Sequence, residues 1–387
     1  MLTRRNFVQT VGIGAAAALV GARGRENSLW SAFETPLLAL APGAICLSSN
    51  ENPVGPGKEI LDVIHQAFGP TGATPGRYSG SHRDLIDAIA KKQGVKPENV
   101  VLGCGSTQIL RSATHLFTAK DKPLVGTLPT YEECSGYATM MGRPVRAVPV
   151  TSDFRMDLGR LADAAKGAGL IFYCNPNNPM GTYVGAKATR EFLANVNRDS
   201  PETTILVDEA YFDYVTDPDH ETHIPVAVEN PRVIVARTFS KAYGMAGLRV
   251  GYAIGHPDTI KKMAEWDGGV GTTSMNVLAM RAAIAAIQRD PSFIAEERKR
   301  NTAVREATMK WFADRGMTPA ESQANFMFVN IGRPAKAFRE ACAKSGVLVA
   351  RDFPPYEKTH CRISFGTEAE MQKAFGVFEK VLAKKAA

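Results

Sequence analysis

Lys241 sits where an amine could do covalent chemistry. Ser240 precedes it, Arg249 follows eight residues later, and small residues fill the interval: Ala242, Gly244, Ala246 and Gly247. Such small residues let backbone and a bound molecule approach closely. A lysine that forms a Schiff base, beside a hydroxyl and a guanidinium fork able to take a phosphate, is the chemistry of a pyridoxal phosphate (PLP) site. Taken alone, the stretch also fits a surface lysine in a glycine-rich loop. Asp208 ends the apolar run 204–207, where an unpaired charge is costly and needs a cationic partner; that partner could be a neighbouring arginine or a bound cation. Arg362 and Arg351 carry the planar fork that suits a carboxylate. Surface ion pairs are the plain alternative for both.

The elements that must hold these residues alternate along the chain. The apolar run 233–236 predicts a buried strand ahead of the lysine. Residues 99–111 predict a strand, a turn and a helix start, in which Ser106 and Thr107 present N–H groups where the helix dipole favours an anion. Residues 170–174 predict a buried strand running into the polar loop Asn175-Pro176-Asn177-Asn178-Pro179-Met180-Gly181. Another apolar run precedes 127–131 and leads to Tyr131, whose ring could face a flat heteroaromatic ligand or pack in a core. Beyond the lysine, helical periodicity covers 275–287 and 292–311. Strands are then predicted over 324–331, 347–351 and 360–366, with helices over 334–345 and 368–383. That restart of alternation predicts a smaller C-terminal domain from about residue 275.

Ser240-Lys241-x-x-Gly244-x-x-Gly247-x-Arg249 resembles the lysine motif of the class I/II aminotransferases, in the fold-type-I PLP family. The histidinol-phosphate aminotransferase branch is the most similar part of that family. The loop 175–181 resembles the family's Asn-Pro-x-Asn-Pro-Thr-Gly, with Met180 where threonine is usual. Asn50-Glu51-Asn52-Pro53 resembles a segment with which this branch lines its substrate cleft, which implies a substrate-binding Asn52. The resemblance runs from about Ser48 to the C-terminus with the motifs in order. It implies an α/β fold: a large domain with a mostly parallel mixed sheet and a smaller C-terminal α/β domain that includes the N-terminal arm. Lys241 is then the catalytic lysine. Asp208 pairs with the pyridine nitrogen of PLP, Asn178 and Tyr211 bond its O3′, and Tyr131 stacks on its ring. Ser106, Thr107, Ser240 and Arg249 gather at its phosphate. Tyr78 reaches the cofactor phosphate of a second subunit, which implies a homodimer; here Ser79 follows it where proline is usual. Arg362 clamps the substrate α-carboxylate and Arg351 lies near the variable end of the donor. The implied reaction moves an amino group from an amino acid or a histidinol-phosphate-like amine to a 2-oxo acid. A PLP-dependent lyase or decarboxylase would share every cofactor motif, and a non-enzymatic binding protein on this fold is a further alternative.

The chain has 387 residues, 44% hydrophobic and 22% charged, which is ordinary for a globular protein. Its net charge is +7; with no long basic run or RNA-binding motif, a solvated surface is expected rather than a nucleic-acid partner. Six cysteines lack CxxC spacing, so no metal site is expected; Cys104 and Cys174 fall inside the cofactor motifs and are expected to be free thiols. Thr3-Arg4-Arg5-Asn6-Phe7-Val8-Gln9, followed by an apolar run too short to span a bilayer, resembles a twin-arginine export signal. Small residues at Val20-Gly21-Ala22 offer a cleavage site; Ala39-Leu40-Ala41 is a second candidate, though Pro42 directly after it argues against cutting there, and an uncleaved N-terminal helix is the plain alternative. The expected organisation is a signal peptide over 1–22, an arm over 23–70, the large PLP-binding domain over 71–274 and the small domain over 275–387, with the twin-arginine machinery as a partner and the periplasm as destination.

Overall fold

A computed structural model of the protein describes residues 43–69, 76, 82–266 and 275–383. The proposed signal peptide and Tyr78 lie outside these residues.

Eleven strands are present among the described residues: β1 (Ile45–Leu47), β2 (Val100–Cys104), β3 (Leu124–Leu128), β4 (Val145–Pro149), β5 (Leu170–Cys174), β6 (Thr204–Asp208), β7 (Val233–Thr238), β8 (Val250–Gly255), β9 (Phe326–Asn330), β10 (Val347–Val349) and β11 (His360–Ser364). Seven form one sheet in the order β2-β8-β7-β6-β5-β3-β4. β8 runs antiparallel to both neighbours, and the remaining pairings are parallel. The central strands are continuous apolar runs because both faces are covered. Ile171, Tyr173, Ile205, Val207, Val233 and Val235 point to one core. The intervening Leu170, Phe172, Leu206 and Ile234 point to the other, as the two-residue period of a strand requires.

The helix Val277–Gln288 differs from its sequence assignment. The sequence places it at the head of the small domain, but Ala279, Ala282, Ala283 and Ala286 are buried in the first core of the large sheet. By packing, this helix belongs with the large layer. A separate core, including Phe312, Met327, Val329, Phe338, Val349, Ile363 and Phe378, marks the smaller part. There β9 pairs antiparallel with β11 and β1 pairs parallel with β10. The N-terminal arm thus supplies a strand to the C-terminal part, as the resemblance implies. Among the described residues no helix is long and apolar enough to cross a membrane.

β2, β3, β5, β6 and β7 run in one direction, so their C-terminal ends share one edge of the sheet. That edge is where open α/β sheets build binding sites. Asp208 closes β6, and Ser106, Tyr131, Asn178 and Lys241 lie in the segments that follow the other four strands.

Candidate active site

The chain turns sharply after β7 to present Lys241. The Ser240 N–H donates to Thr238 Oγ1 at 3.1 Å, and the Gly244 N–H closes the turn on the Lys241 carbonyl at 2.9 Å. Gly244 has φ +68°, and a Cβ there would collide with the Gly55 backbone. The lysine loop and the 50–56 segment therefore lie directly against each other. Asn52 holds that contact: its Nδ2 donates to the Ala242 carbonyl at 3.0 Å, while its Oδ1 accepts the Val54 N–H at 3.0 Å. The buried Asn52 amide thus positions the lysine loop, beside the cleft-lining role that the resemblance implies. Lys241 Nζ donates to the Ser49 carbonyl at 3.2 Å. Burial, reinforced by the nearby Arg362 cation, pushes the ammonium down to about 8, which enlarges the neutral, nucleophilic fraction near neutral pH.

Asp208 is the opposite case. It is 2% exposed, and burial pushes its carboxyl up to about 7 although the Ala210 N–H donates to it at 3.1 Å. Among the described residues no arginine or lysine forms an ion pair with it, so the strand ends on a carboxylate that lacks a strong cationic partner. Glu209, the next residue, is served differently. Burial would raise it, but Arg237 and His223 outweigh that and hold it at about 2. Arg237 Nη2 donates to it at 2.7 Å and the His223 N–H at 2.8 Å. This buried pair ties the end of β6 to β7 and so fixes Asp208 relative to Lys241. The sequence reading missed it.

A polar network joins the remaining groups. The Tyr211 hydroxyl accepts from Asn50 Nδ2 at 3.0 Å and from Asn178 Nδ2 at 3.3 Å. Arg362 Nη1 donates to Asn178 Oδ1 at 2.6 Å, and Nη2 donates to the Ser48 carbonyl. Its Nε is buried without a partner. Burial pushes the Arg362 guanidinium down to about 10, and Phe353 lies under it, ring centroid 4.9 Å away. Asn50, in the left-handed region at φ 55°, also bonds Ser364 through Oδ1 at 2.7 Å. Asn50, Ser364 and Asn325 complete the site and were not singled out by the sequence reading.

The third group gathers at the head of the helix Ser106–Phe117. Arg249 reaches Thr107 Oγ1 at 3.3 Å and Ser240 Oγ at 3.4 Å. Gly105 has φ +73°, and a Cβ there would collide with the Arg249 guanidinium. Helix N–H groups, two hydroxyls and a guanidinium thus converge on one point, which is an anion site. Tyr131 stands beside it, its hydroxyl pushed up to about 12 by burial.

These residues fit pyridoxal phosphate. The anion cradle suits its phosphate, the under-partnered Asp208 suits a pyridinium N–H, and Asn178 with Tyr211 offers polar atoms for O3′. Lys241 supplies the amine. The structure brings together Lys241, Asp208, Asn178, Tyr211, Tyr131, Ser106, Thr107, Ser240, Arg249 and Arg362. Arg351 is nearby, but its Nη2 pairs with Glu132 Oε2 at 2.6 Å. Met180, in place of threonine, is fully buried and packs with Phe328, Ala350 and Phe353, so it builds the wall behind the arginines. Cys104 and Cys174 carry free thiols.

The sequence profile of aminotransferase class I and II matches residues 42–378. A histidinol-phosphate aminotransferase of Moorella thermoacetica is 34% identical over 342 residues, covering 88% of this chain and 86% of that protein. An aromatic amino acid aminotransferase of Rhodococcus erythropolis is 33% identical over 357 residues, covering 89% and 92%. The crystal structure of histidinol-phosphate aminotransferase from Sinorhizobium meliloti, in complex with pyridoxal-5'-phosphate, superposes with a TM-score of 0.80 at 28% identity, covering 95% of this chain and all of that one.

Proposed function

Since this chain belongs to the class I and II aminotransferases, we propose that its donor is an amino acid held through its α-carboxylate on Arg362. The general activity is the family's: transfer of an amino group from a small-molecule donor to a 2-oxo acid with pyridoxal phosphate as cofactor. When bound, that cofactor supplies an electron sink that makes the donor's α-proton removable. The chain's own residues do the rest. Asp208 offers the ring nitrogen a buried carboxylate, and Tyr211 and Asn178 hold the site's polar edge. Neutral Lys241 Nζ takes the α-proton and returns it. Arg362 fixes the donor so that the α-carbon faces the lysine.

The observation that carries the donor reading is the Arg362 fork, buried, oriented by Asn178, and seated over Phe353. An aromatic side chain suits the Phe353 and Met180 wall, and the Rhodococcus relative carries the name aromatic amino acid aminotransferase. The Moorella relative supports a second reading, histidinol phosphate, whose phosphate would have to take the place of the carboxylate. A panel of phenylalanine, tyrosine, aspartate, glutamate and histidinol phosphate against 2-oxoglutarate, read by oxo-product release, decides between them. Turnover of histidinol phosphate alone would reject the amino-acid reading.

The proposal extends to place and assembly. Thr3-Arg4-Arg5-Asn6-Phe7-Val8-Gln9 supports export of the folded enzyme to the periplasm by the twin-arginine route. A periplasmic enzyme has little use for a cytosolic biosynthetic substrate, which again favours an amino acid. Tyr78 supports a homodimer in which each subunit completes its neighbour's phosphate site.

A further inference from the structure

We propose that Glu132 is a specificity-determining residue: by pairing with Arg351 it turns the distal end of the donor pocket against anionic groups and toward uncharged, flat ones. This rests on the reading of the cleft as a transaminase donor site. Glu132 follows Tyr131 on the edge of the large sheet, and Arg351 follows β10 in the smaller part, so the pair bridges the two walls of the cleft. Arg351 Nη2 lies 2.6 Å from Glu132 Oε2, its Nη1 donates to the Asp352 carbonyl at 3.0 Å, and its guanidinium is 4.5 Å from the Phe353 ring centroid. The same ring lies 4.9 Å from Arg362. Two guanidiniums therefore share one aromatic wall, and Glu132 neutralises the outer one. An amino acid brings one carboxylate, which Arg362 satisfies. A second carboxylate, or a phosphate, would meet Glu132 before it met a free cation. The pair is not a fixed strut: its side chains are 47% and 31% exposed, and an ion pair this open to water is weak enough to be displaced. Glu132 thus acts as an internal competitor for Arg351, with an effect on affinity but no part in the chemistry.

The test uses holoenzyme of wild type, Glu132→Gln and Glu132→Gln/Arg351→Ala. The glutamine keeps the length of the side chain, and the Glu132 carbonyl that accepts the Gly136 N–H is backbone, so the fold should tolerate it. Expected is a rise of about tenfold in kcat/KM for glutamate, and for histidinol phosphate, relative to phenylalanine in Glu132→Gln, with the rise lost in the double variant. Inorganic phosphate, titrated by calorimetry, should bind about tenfold tighter to Glu132→Gln than to wild type, again only while Arg351 is present. A purely structural role would move all donors together and leave phosphate binding unchanged; that result, or a gain that survives loss of Arg351, overturns the proposal. Failure of the donor reading shows separately, as no oxo acid from phenylalanine or glutamate with wild type, and the phosphate titration still judges Glu132.

Discussion

Two neighbouring carboxylates, Asp208 and Glu209, show how partners decide the state of a buried acid. Glu209 has Arg237 and stays ionised; Asp208 has a backbone N–H and is pushed up to about 7. The sign of the consequence is fixed by linkage. In the cofactor-free protein the folded value lies above the unfolded one, about 4, so the stability tied to Asp208 is full below pH 4 and is lost as pH rises to about 7. The loss is on the order of 4 kcal/mol at most, from a shift of roughly three units. Asp208→Asn should therefore raise the melting temperature of the cofactor-free protein at pH 8 and hardly change it at pH 4. The same variant should lose about 100-fold or more in activity, the scale of a positioned acid–base group. Thermal melts at both pH values check this, and equal shifts at both would mean that the carboxylate is not under-partnered. Arg362 makes the second prediction at this scale. Loss of a buried, charge-assisted contact should cost about 2–4 kcal/mol, or roughly 30- to 1000-fold in kcat/KM. Arg362→Ala should show that loss for every α-carboxylate substrate, the 2-oxoglutarate acceptor included. Unchanged kinetics with 2-oxoglutarate would remove the carboxylate clamp.

Elements place these residues, and the turn between β2 and its helix is the most demanding. Gly105 needs a left-handed backbone and leaves the Arg249 guanidinium no room for a Cβ. Gly105→Ala should weaken pyridoxal phosphate binding by about 10- to 100-fold, a loss of one or two contacts at the anion cradle. Titration of the cofactor-free protein by absorbance measures it, and an unchanged Kd would mean that the cradle does not hold the phosphate. What the sequence made legible at this scale was whatever repeats locally. Buried strands such as β5, β6 and β7 announce themselves as apolar runs, and Asn178, Asp208 and Lys241 follow or end those runs. What stayed hidden depends on contacts between distant stretches. Asn50 meets Ser364 across 314 residues and Asn325 meets Asn50 across 275, and no local pattern encodes either. The contact of Asn52 with the Ala242 carbonyl spans 190 residues and is equally hidden from any local pattern. The helix Val277–Gln288 was assigned to the small domain because an alanine face does not say which core it enters. The packing of Met180 becomes visible only with the Phe328 and Phe353 wall in place.

At the scale of the whole molecule, both ends of the described chain are needed before the site is complete. β1 pairs with β10 about 300 residues later, and the segment just after β1 supplies the Ser48 and Ser49 carbonyls that hold Arg362 and Lys241. The cofactor pocket also draws on residues near 105, 178, 208 and 249. A chain of this topology cannot assemble its site while it is still being threaded outward, because its closing strands come last. Contacts of such sequence separation also slow folding. Under the proposed export reading, the segment 3–9, with Arg4 and Arg5, would direct a finished, cofactor-loaded molecule rather than an unfolded chain. Replacing both arginines with lysine keeps the charge and changes only the recognition chemistry. The variant should accumulate in the cytosol as an uncleaved, active transaminase, while wild type appears in the periplasm shortened at its N-terminus. Cell fractionation with an activity assay and intact-mass measurement reads both features. Wild type found in the cytosol at full length would reject export, and periplasmic recovery of the lysine variant at wild-type levels would reject the twin-arginine route.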